Sequence, residues 1–122
     1  KIPYASIMNQ RDELVEPTAE SISAAASGEI PADTRTSITN ADATGAYPIA
    51  TFTWVIIYKE QNYSDRSKEQ AIATLDLLQY ILSDEAQKIT SEVHYAPLPA
   101  KAKELSLKNL KTVTYDGMPI LQ

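Results

Sequence analysis

The stretch PIATFTWVIIYKE at residues 48–60 carries the strongest strand pattern in the chain. Its side chains alternate between two faces, with Phe52, Trp54, Ile56 and Tyr58 on one and Thr51, Thr53, Val55 and Ile57 on the other. Both faces are apolar around residues 55–57, so the pattern predicts a strand that is covered on both sides. Such a strand belongs in the middle of a layered α/β sheet, because a half-solvated sheet shows apolar residues on one face only.

Two helices are predicted directly after this strand. Apolar residues recur at helical spacing at Ala71, Leu75, Leu78 and Leu82. Ser67 and Gln70 before them fit a capping box, in which each side chain accepts from the other residue's backbone N–H. A second start signal is the sequence SDE at residues 83–85, followed by an apolar stripe at Ala86, Ile89 and Val93. We therefore predict two consecutive helices or one kinked helix.

A third helix is predicted towards the C-terminus. Pro97 and Pro99 cannot continue a helix because they lack a backbone donor, but Pro99 suits the first turn of a new one. This helix would run to about Lys111 and bury Ala102, Leu105 and Leu110. Its other face carries lysines interleaved with Glu104, a pattern that indicates a solvated surface and not a nucleic-acid patch.

The part of the chain before residue 48 is less regular. Residues 2–8, IPYASIM, predict a short edge strand, because Pro3 cannot donate to a central ladder. Thr18 is predicted to cap a short Ala-rich helix, with Gly28 as the residue past its C-terminus. Residues 30–46 are rich in turn-forming residues, and only residues 36–39 have strand character.

Length and charge exclude several classes of protein. With 122 residues the chain is long enough for one domain and too short for two. The net charge of -5 provides no electrostatic footprint for nucleic acid or an anionic membrane. The absence of cysteine excludes disulfides, thiolate metal sites and a thiol nucleophile. Because the sequence opens on Lys1 without an initiator Met or a leader, we expect it to be a segment of a longer protein.

Local motifs do not identify an activity. Asp84 and Glu85 stand at a predicted helix start, where acids stabilise the helix dipole, so a small hydrolase that uses either is the least favoured hypothesis. His94 is the only imidazole, and its default role is structural or at the surface. Trp54 lies in an apolar pattern and is predicted to pack in the core. We assign no catalytic, ligand-binding or metal-binding residue and no cofactor.

The order of four short segments is more specific than any single motif. They are VEPT at residues 15–18 before the Ala-rich helix, SITNA at 37–41, GAYPI at 45–49 and YAPLP at 95–99. In this order they resemble the C-terminal part of the periplasmic phosphate-binding protein of ABC-type phosphate transporters. The resemblance extends over nearly the whole chain, including the opening KIPYA at residues 1–5.

The resemblance implies an α/β chain that is part of a type II periplasmic-binding-protein (Venus-flytrap) fold, with layered helices on a mixed sheet. Residues 1–46 would end one lobe and residues 47–122 would return to the other, with Tyr47-Pro48 as a candidate hinge. In that family the oxyanion is held by hydroxyls, backbone amides, an Asp and an Arg that precedes a Ser-Gly-Thr loop. Arg11, Arg35 and Arg66 do not precede such a loop. The resemblance therefore assigns no phosphate ligand to this chain.

The resemblance also implies a function, partners and a location. The chain would be the non-enzymatic, scaffold portion of a solute-binding protein for phosphate import by an ABC transporter. Its partners would be inorganic phosphate, for the intact protein only, and the ABC permease membrane subunits, with no nucleic acid. Its location would be periplasmic or extracellular, with a lipid anchor in an N-terminal region absent from this chain. The alternative is an independent, non-enzymatic interaction module that homodimerises through exposed apolar faces.

Overall fold

The computed structural model describes residues 3–121, and within them helices and short strands both occur. In chain order the elements are β1 Ile7–Met8, β2 Leu14–Val15, α1 Ala19–Ala25, α2 Lys68–Ile81, α3 Asp84–Ile89, a 3-10 helix Thr90–Val93, α4 Ala100–Leu110, β3 Thr114–Tyr115 and β4 Met118–Pro119. The strands form two antiparallel pairs, β1 with β2 and β3 with β4. This mixed content agrees with an α/β chain, but residues 3–121 do not form the larger mixed sheet that was expected.

The helices begin where the capping residues predict. Thr18 caps α1 and Ser67 caps α2, and both form complete capping boxes with the residue three positions on. Ser83 caps α3 by accepting from the backbone N–H of Ala86 at 3.2 Å. Pro99 directly precedes α4, in which Ala102, Leu105 and Leu110 are buried. The prediction of consecutive helices after residue 67 and of a third helix after Pro99 is confirmed.

Two separate apolar clusters hold these elements. The first cluster is defined by its buried residues Ala25, Ala26, Ile38, Ala46 and Ala50, against which Ile22 and Phe52 pack. The second cluster is defined by Leu75, Leu110 and Val113, against which Ile57, Leu78 and Leu82 pack. The first cluster belongs to α1 and the irregular chain after it, whereas the second joins α2 to the end of α4. Each cluster is small, so neither resembles the continuous core of a complete layered domain.

The predicted central strand is the main point at which the structure differs. Residues 48–59 contain no strand, and pairing begins only at Glu60, which bridges to Thr114 in parallel. Instead of being covered on both sides, Ile56 is 92% exposed, and Val55 and Tyr58 are exposed as well. The prediction of a buried, paired strand is therefore wrong for residues 3–121. A strand with apolar residues on both faces is typical of the interior of a sheet. Here no described strand lies beside the segment, so its side chains stay exposed.

Smaller predictions were wrong for related reasons. Of the edge strand over residues 2–8, only Ile7–Met8 pairs, while residue 2 lies outside the described residues. Residues 36–39 form no strand. In α3 and the following 3-10 helix, Ile89 and Val93 are exposed and Gln87 is the buried residue. Two residues of the predicted stripe are thus exposed, whereas Gln87 donates to the carbonyl of Ile81 at 2.9 Å and accepts from the backbone N–H of Leu98 at 2.7 Å.

None of the helices in the described part of the chain is both long enough and apolar enough to span a membrane.

Candidate functional site

The two apolar clusters are joined by a stretch that we call the unpaired segment (residues 51–58). Phe52 packs on the first cluster and Ile57 on the second, so residues 53–56 bridge the gap between them. The segment runs without a turn, bend or helical residue. No backbone N–H group of residues 51–60 donates a hydrogen bond to any residue of 3–121. A stretch with strand-forming residues and free backbone donors is a template for pairing with another strand.

A cavity of about 910 Å³ lies against the unpaired segment. The cavity is lined by residues of the segment, of α2 and α4, and of the irregular chain at 30–37. Its lining is largely apolar and includes Trp54, Ile57, Leu78, Leu82 and Leu110. Folded interiors contain few voids larger than a water molecule, so a space of this size beside apolar side chains is not a finished core.

Trp54 is one of the residues that line this cavity. Its indole Nε1–H donates to the backbone carbonyl of Thr34 at 3.2 Å, and the side chain is 46% exposed. Its ring lies 6.1 Å from that of Phe52 in an edge-to-face arrangement. The prediction that Trp54 packs in the core is therefore wrong for the described residues. The Trp side chain instead connects the unpaired segment to the irregular chain after α1.

On the N-terminal side of the unpaired segment, a partly buried polar cluster connects residues 45 and 46 to the β1–β2 turn. The Asn9 amide Nδ2–H donates to Glu13 Oε2 at 2.8 Å and to the carbonyl of Ala46 at 3.1 Å. Glu13 Oε2 also accepts from the backbone N–H of Gly45 at 2.8 Å. The Asn9 amide, the Gly45 N–H and the nearby Arg11 guanidinium keep the pKa of Glu13 below its usual value. These bonds fix residues 45 and 46 to the β1–β2 turn.

The candidate hinge at Tyr47-Pro48 lies within this anchored region. The backbone N–H of Tyr47 donates to the carbonyl of Ser21 at 3.0 Å, and the carbonyl of Pro48 accepts from Asn40 N–H at 2.8 Å. Both residues are therefore tied to the first cluster. Beyond Pro48, the carbonyl of Ala50 accepts from the Thr39 hydroxyl at 3.0 Å. Hinge motion at this point stays a prediction.

On the C-terminal side, Glu60 anchors the end of the segment. Its Oε1 accepts from the backbone N–H groups of Asn62 at 2.9 Å and Asp116 at 3.1 Å. Its Oε2 accepts from Gly117 N–H at 3.0 Å and from the Thr114 hydroxyl at 2.8 Å. These bonds, led by the one from Asn62, lower the pKa of Glu60 to about 2. Glu60 thus holds the β3–β4 hairpin against the segment.

The three arginines considered as oxyanion ligands each contact a different part of the chain. Arg11 pairs with Asp42 at 3.0 Å, and Arg35 pairs with Asp33 at 2.9 Å. Arg66 donates to the carbonyl of Gln70 at 3.1 Å and to the Thr74 hydroxyl, and lies over the Tyr63 ring.

The acidic residues of the hydrolase hypothesis are not arranged as a catalytic pair. Asp84 is exposed at the start of α3 and binds Lys103 of α4, which lowers the pKa of Asp84. Glu85 is exposed beside it. His94 ends the 3-10 helix with a left-handed backbone and lines a cavity of about 190 Å³ with Tyr95. Among residues 3–121, no group of three acidic or imidazole side chains could hold a metal ion.

Comparison with known proteins relates the chain to a class of binding protein. No protein-family model matches it. Phosphate-binding protein PstS of Xylella fastidiosa strain Temecula1 is 34% identical over 102 residues, which covers 81% of this chain and 27% of that protein. PstS of Methanocaldococcus jannaschii is 28% identical over 122 residues, with 93% of this chain and 31% of that protein covered. The chain is therefore related by sequence to phosphate-binding proteins, and it spans less than a third of their length.

Sequence reasoning missed the anchors on both sides of the unpaired segment. No role was predicted for Asn9, Glu13 or Glu60. One available signal was Asp116-Gly117, a dipeptide typical of two-residue hairpins, because both residues have a positive φ in such turns. Here φ is 52° at Asp116 and 72° at Gly117. The hairpin places their N–H groups where Glu60 can accept from them.

Proposed function

We propose that the chain is part of a solute-binding protein for phosphate import by an ABC transporter, and that it supplies scaffold and not phosphate ligands. The observation that carries this proposal is the similarity to proteins named PstS along 81–93% of the chain. The scaffold role is supported by the engagement of Arg11, Arg35 and Arg66 elsewhere, because a bound oxyanion needs several converging donors. In this role the chain is not an enzyme.

The proposal includes a place in a two-lobed fold. The division into residues 1–46 and 47–122 is supported by the two separate apolar clusters, although Ala50 and Phe52 still belong with the first. In the proposed protein the unpaired segment is the strand that returns to the other lobe. Helices α2 and α4 then cover one face of the mixed sheet that contains it.

The proposed partners and location follow from the transport role. The intact protein binds inorganic phosphate between its lobes and delivers it to the membrane subunits of the permease. It works in the periplasm or outside the cell, held by a lipid anchor in a region other than this chain. The net charge of -5 does not oppose phosphate binding, because short-range donors select a buried oxyanion.

Calorimetric titration with phosphate tests the proposal. We expect binding heat from the protein encoded by the complete gene and none from the 122-residue chain. Arg35→Gln in the complete protein is the matched control: the Arg35 side chain is exposed and paired with Asp33, so its loss leaves the affinity unchanged. Comparable affinity in the short chain would contradict the scaffold role, and no binding by the complete protein would contradict the transport role.

One observation favours the second candidate, an interaction module that homodimerises. The unpaired segment exposes Val55, Ile56 and Tyr58, and exposed apolar patches commonly mark interfaces. Sedimentation equilibrium of the 122-residue chain separates the two candidates. A monomer at micromolar concentration contradicts the homodimer.

A further inference from the structure

Asp116-Gly117 forms the turn between β3 and β4, and it is the one place in the sequence where glycine follows Asp or Asn. An Asp side chain before glycine is chemically reactive, because glycine has no Cβ to hinder attack by its nitrogen on the carboxyl carbon. Both residues are exposed, so water reaches them. A Cβ added to Gly117 would meet no atom within 4 Å, so there is room here for a ring to form.

The reaction open to this dipeptide is the formation of isoaspartate. The Gly117 nitrogen attacks Cγ of the protonated Asp116 carboxyl, so that an N–Cγ bond forms and the Cγ–OH bond breaks. The hydroxyl leaves as water with the proton of the nitrogen, and a succinimide ring remains. A second water attacks the main-chain carbonyl carbon of Asp116, and the bond from that carbon to the nitrogen breaks. One water leaves and one is added, so the reaction requires no other reactant.

Both reacting groups are held in the folded chain. The Gly117 N–H donates to Glu60 Oε2 at 3.0 Å, and the Asp116 N–H donates to Glu60 Oε1 at 3.1 Å. The Asp116 carboxylate accepts from the side-chain amide of Asn62. Because the pKa of Glu60 is about 2, its carboxylate is a poor base, and its bond to Gly117 holds the N–H without removing the proton. Attack by the nitrogen requires the turn to leave these bonds.

We propose that Asp116 is a site of isoaspartate formation and that Glu60 slows the reaction by holding the backbone N–H groups of Asp116 and Gly117. Conversion places one additional carbon in the main chain between these two N–H groups, so they no longer fit the two oxygens of Glu60 together. The hairpin is then released from the end of the unpaired segment. Only these residues and water take part, so the reaction is independent of phosphate binding.

Peptide mapping tests the proposal in the protein from the complete gene after long incubation at neutral pH. An isoaspartyl methyltransferase labels the converted residue, and mass spectrometry identifies the labelled peptide. We expect a label at Asp116 in the wild type. In Glu60→Ala we expect conversion at least about tenfold faster, because a hydrogen bond to a charged acceptor contributes about that factor or more. Absence of a label at Asp116 from both proteins overturns the proposal, and so do equal rates in the two.

Two control variants separate the bonds of Glu60 from a general loss of stability. Thr114→Val removes the hydroxyl that donates to Glu60 Oε2 and keeps a β-branched side chain, so we expect conversion near the wild-type rate. Asn9→Ala removes bonds at the β1–β2 turn and should also leave the rate unchanged. Conversion as fast in Asn9→Ala as in Glu60→Ala would mean that the reaction follows general unfolding, and it overturns the role of Glu60. If Glu60→Ala does not fold, Glu60→Gln keeps one acceptor oxygen and allows the same comparison.

The release of the hairpin has its own measurement. Wild-type protein converted at Asp116 should have a lower urea midpoint than unconverted protein, because it has lost the bonds to Glu60. Conversion of Glu60→Ala should change the midpoint less, since those bonds are already absent. Equal changes in the two proteins overturn the release of the hairpin.

Discussion

The carboxylate of Glu60 accepts a hydrogen bond from the backbone N–H of Gly117 at 3.0 Å, across 57 positions of sequence. The same side chain accepts from Asn62, Asp116 and the Thr114 hydroxyl, so one exposed carboxylate holds the β3–β4 hairpin to the end of the unpaired segment. Because all these bonds are to an acceptor, they favour the ionised form of Glu60.

We predict that Glu60 makes the chain sensitive to acid. Its pKa is about 2 in the folded chain, compared with an ordinary value of 4.5, so the ionised group stabilises the fold fully above pH 4.5. That stabilisation is lost as the pH falls from about 4.5 to about 2. Glu60→Gln should therefore have a lower urea midpoint than the wild type at pH 7, and this difference should shrink as the pH falls through this range. Glu29→Gln, whose side chain accepts none of these bonds, should show no such trend.

The bonds between Glu60 and the β3–β4 hairpin show which contacts a sequence does not predict. The Asp116-Gly117 turn is encoded locally and could have been predicted, because a left-handed backbone at both positions favours that dipeptide. Its partner Glu60 could not be predicted, because the local sequence does not indicate which of the many carboxylates will accept from the backbone N–H groups of the turn. Local sequence signals predict helices and turns. Contacts between residues that are distant in sequence depend on the whole fold.

We predict that Asn9→Ala destabilises the chain by about 2–3 kcal/mol. Asn9 is 5% exposed, and its loss leaves the buried carbonyl of Ala46 without a donor and removes the acceptor for Arg11 and Glu13 N–H. Urea unfolding monitored by circular dichroism gives the change. Asn109→Ala is the control: its exposed side chain makes one bond, to Ala32, so we expect less than about 1 kcal/mol. Equal effects would contradict the role of Asn9.

The second apolar cluster gives a matched pair on one helix. Leu75 is 0% exposed and Leu77 is 57% exposed, and both lie within α2. Leu75→Ala should cost about 2–5 kcal/mol through lost burial and the cavity left behind, whereas Leu77→Ala should cost less than about 1. The same helix propensity applies to both, so the difference in unfolding free energy measures packing. A smaller effect of Leu75→Ala would mean that the cluster does not contribute to folding.

The helices were predictable because their signals lie within one turn of each end. Ser67 with Gln70, Ser83, Thr18 and Pro99 each determine a start that the structure places within a residue or two. The conformation of the unpaired segment was not predictable, because its sequence pattern is typical of a strand inside a sheet and residues 3–121 do not form that sheet. Trp54 and Ile56 are exposed for the same reason: alternation specifies which faces should be buried, but not what covers them.

Two glycines should respond oppositely to alanine, and the difference tests the anchor before the unpaired segment. Gly45 has a φ of 68°, its N–H donates to Glu13, and a Cβ there would meet no atom within 4 Å. Gly45→Ala therefore costs only the left-handed backbone, about 1–2 kcal/mol. Gly28 has the same open surroundings without a left-handed φ, so Gly28→Ala should stabilise the chain by about 0.4–1 kcal/mol by restricting the unfolded state. The urea midpoints of both variants measure these changes in stability.

If Gly45→Ala raised the midpoint as Gly28→Ala does, residue 45 would not be held in its left-handed conformation. The bonds from Asn9 and Glu13 would then not fix the chain where it enters the unpaired segment.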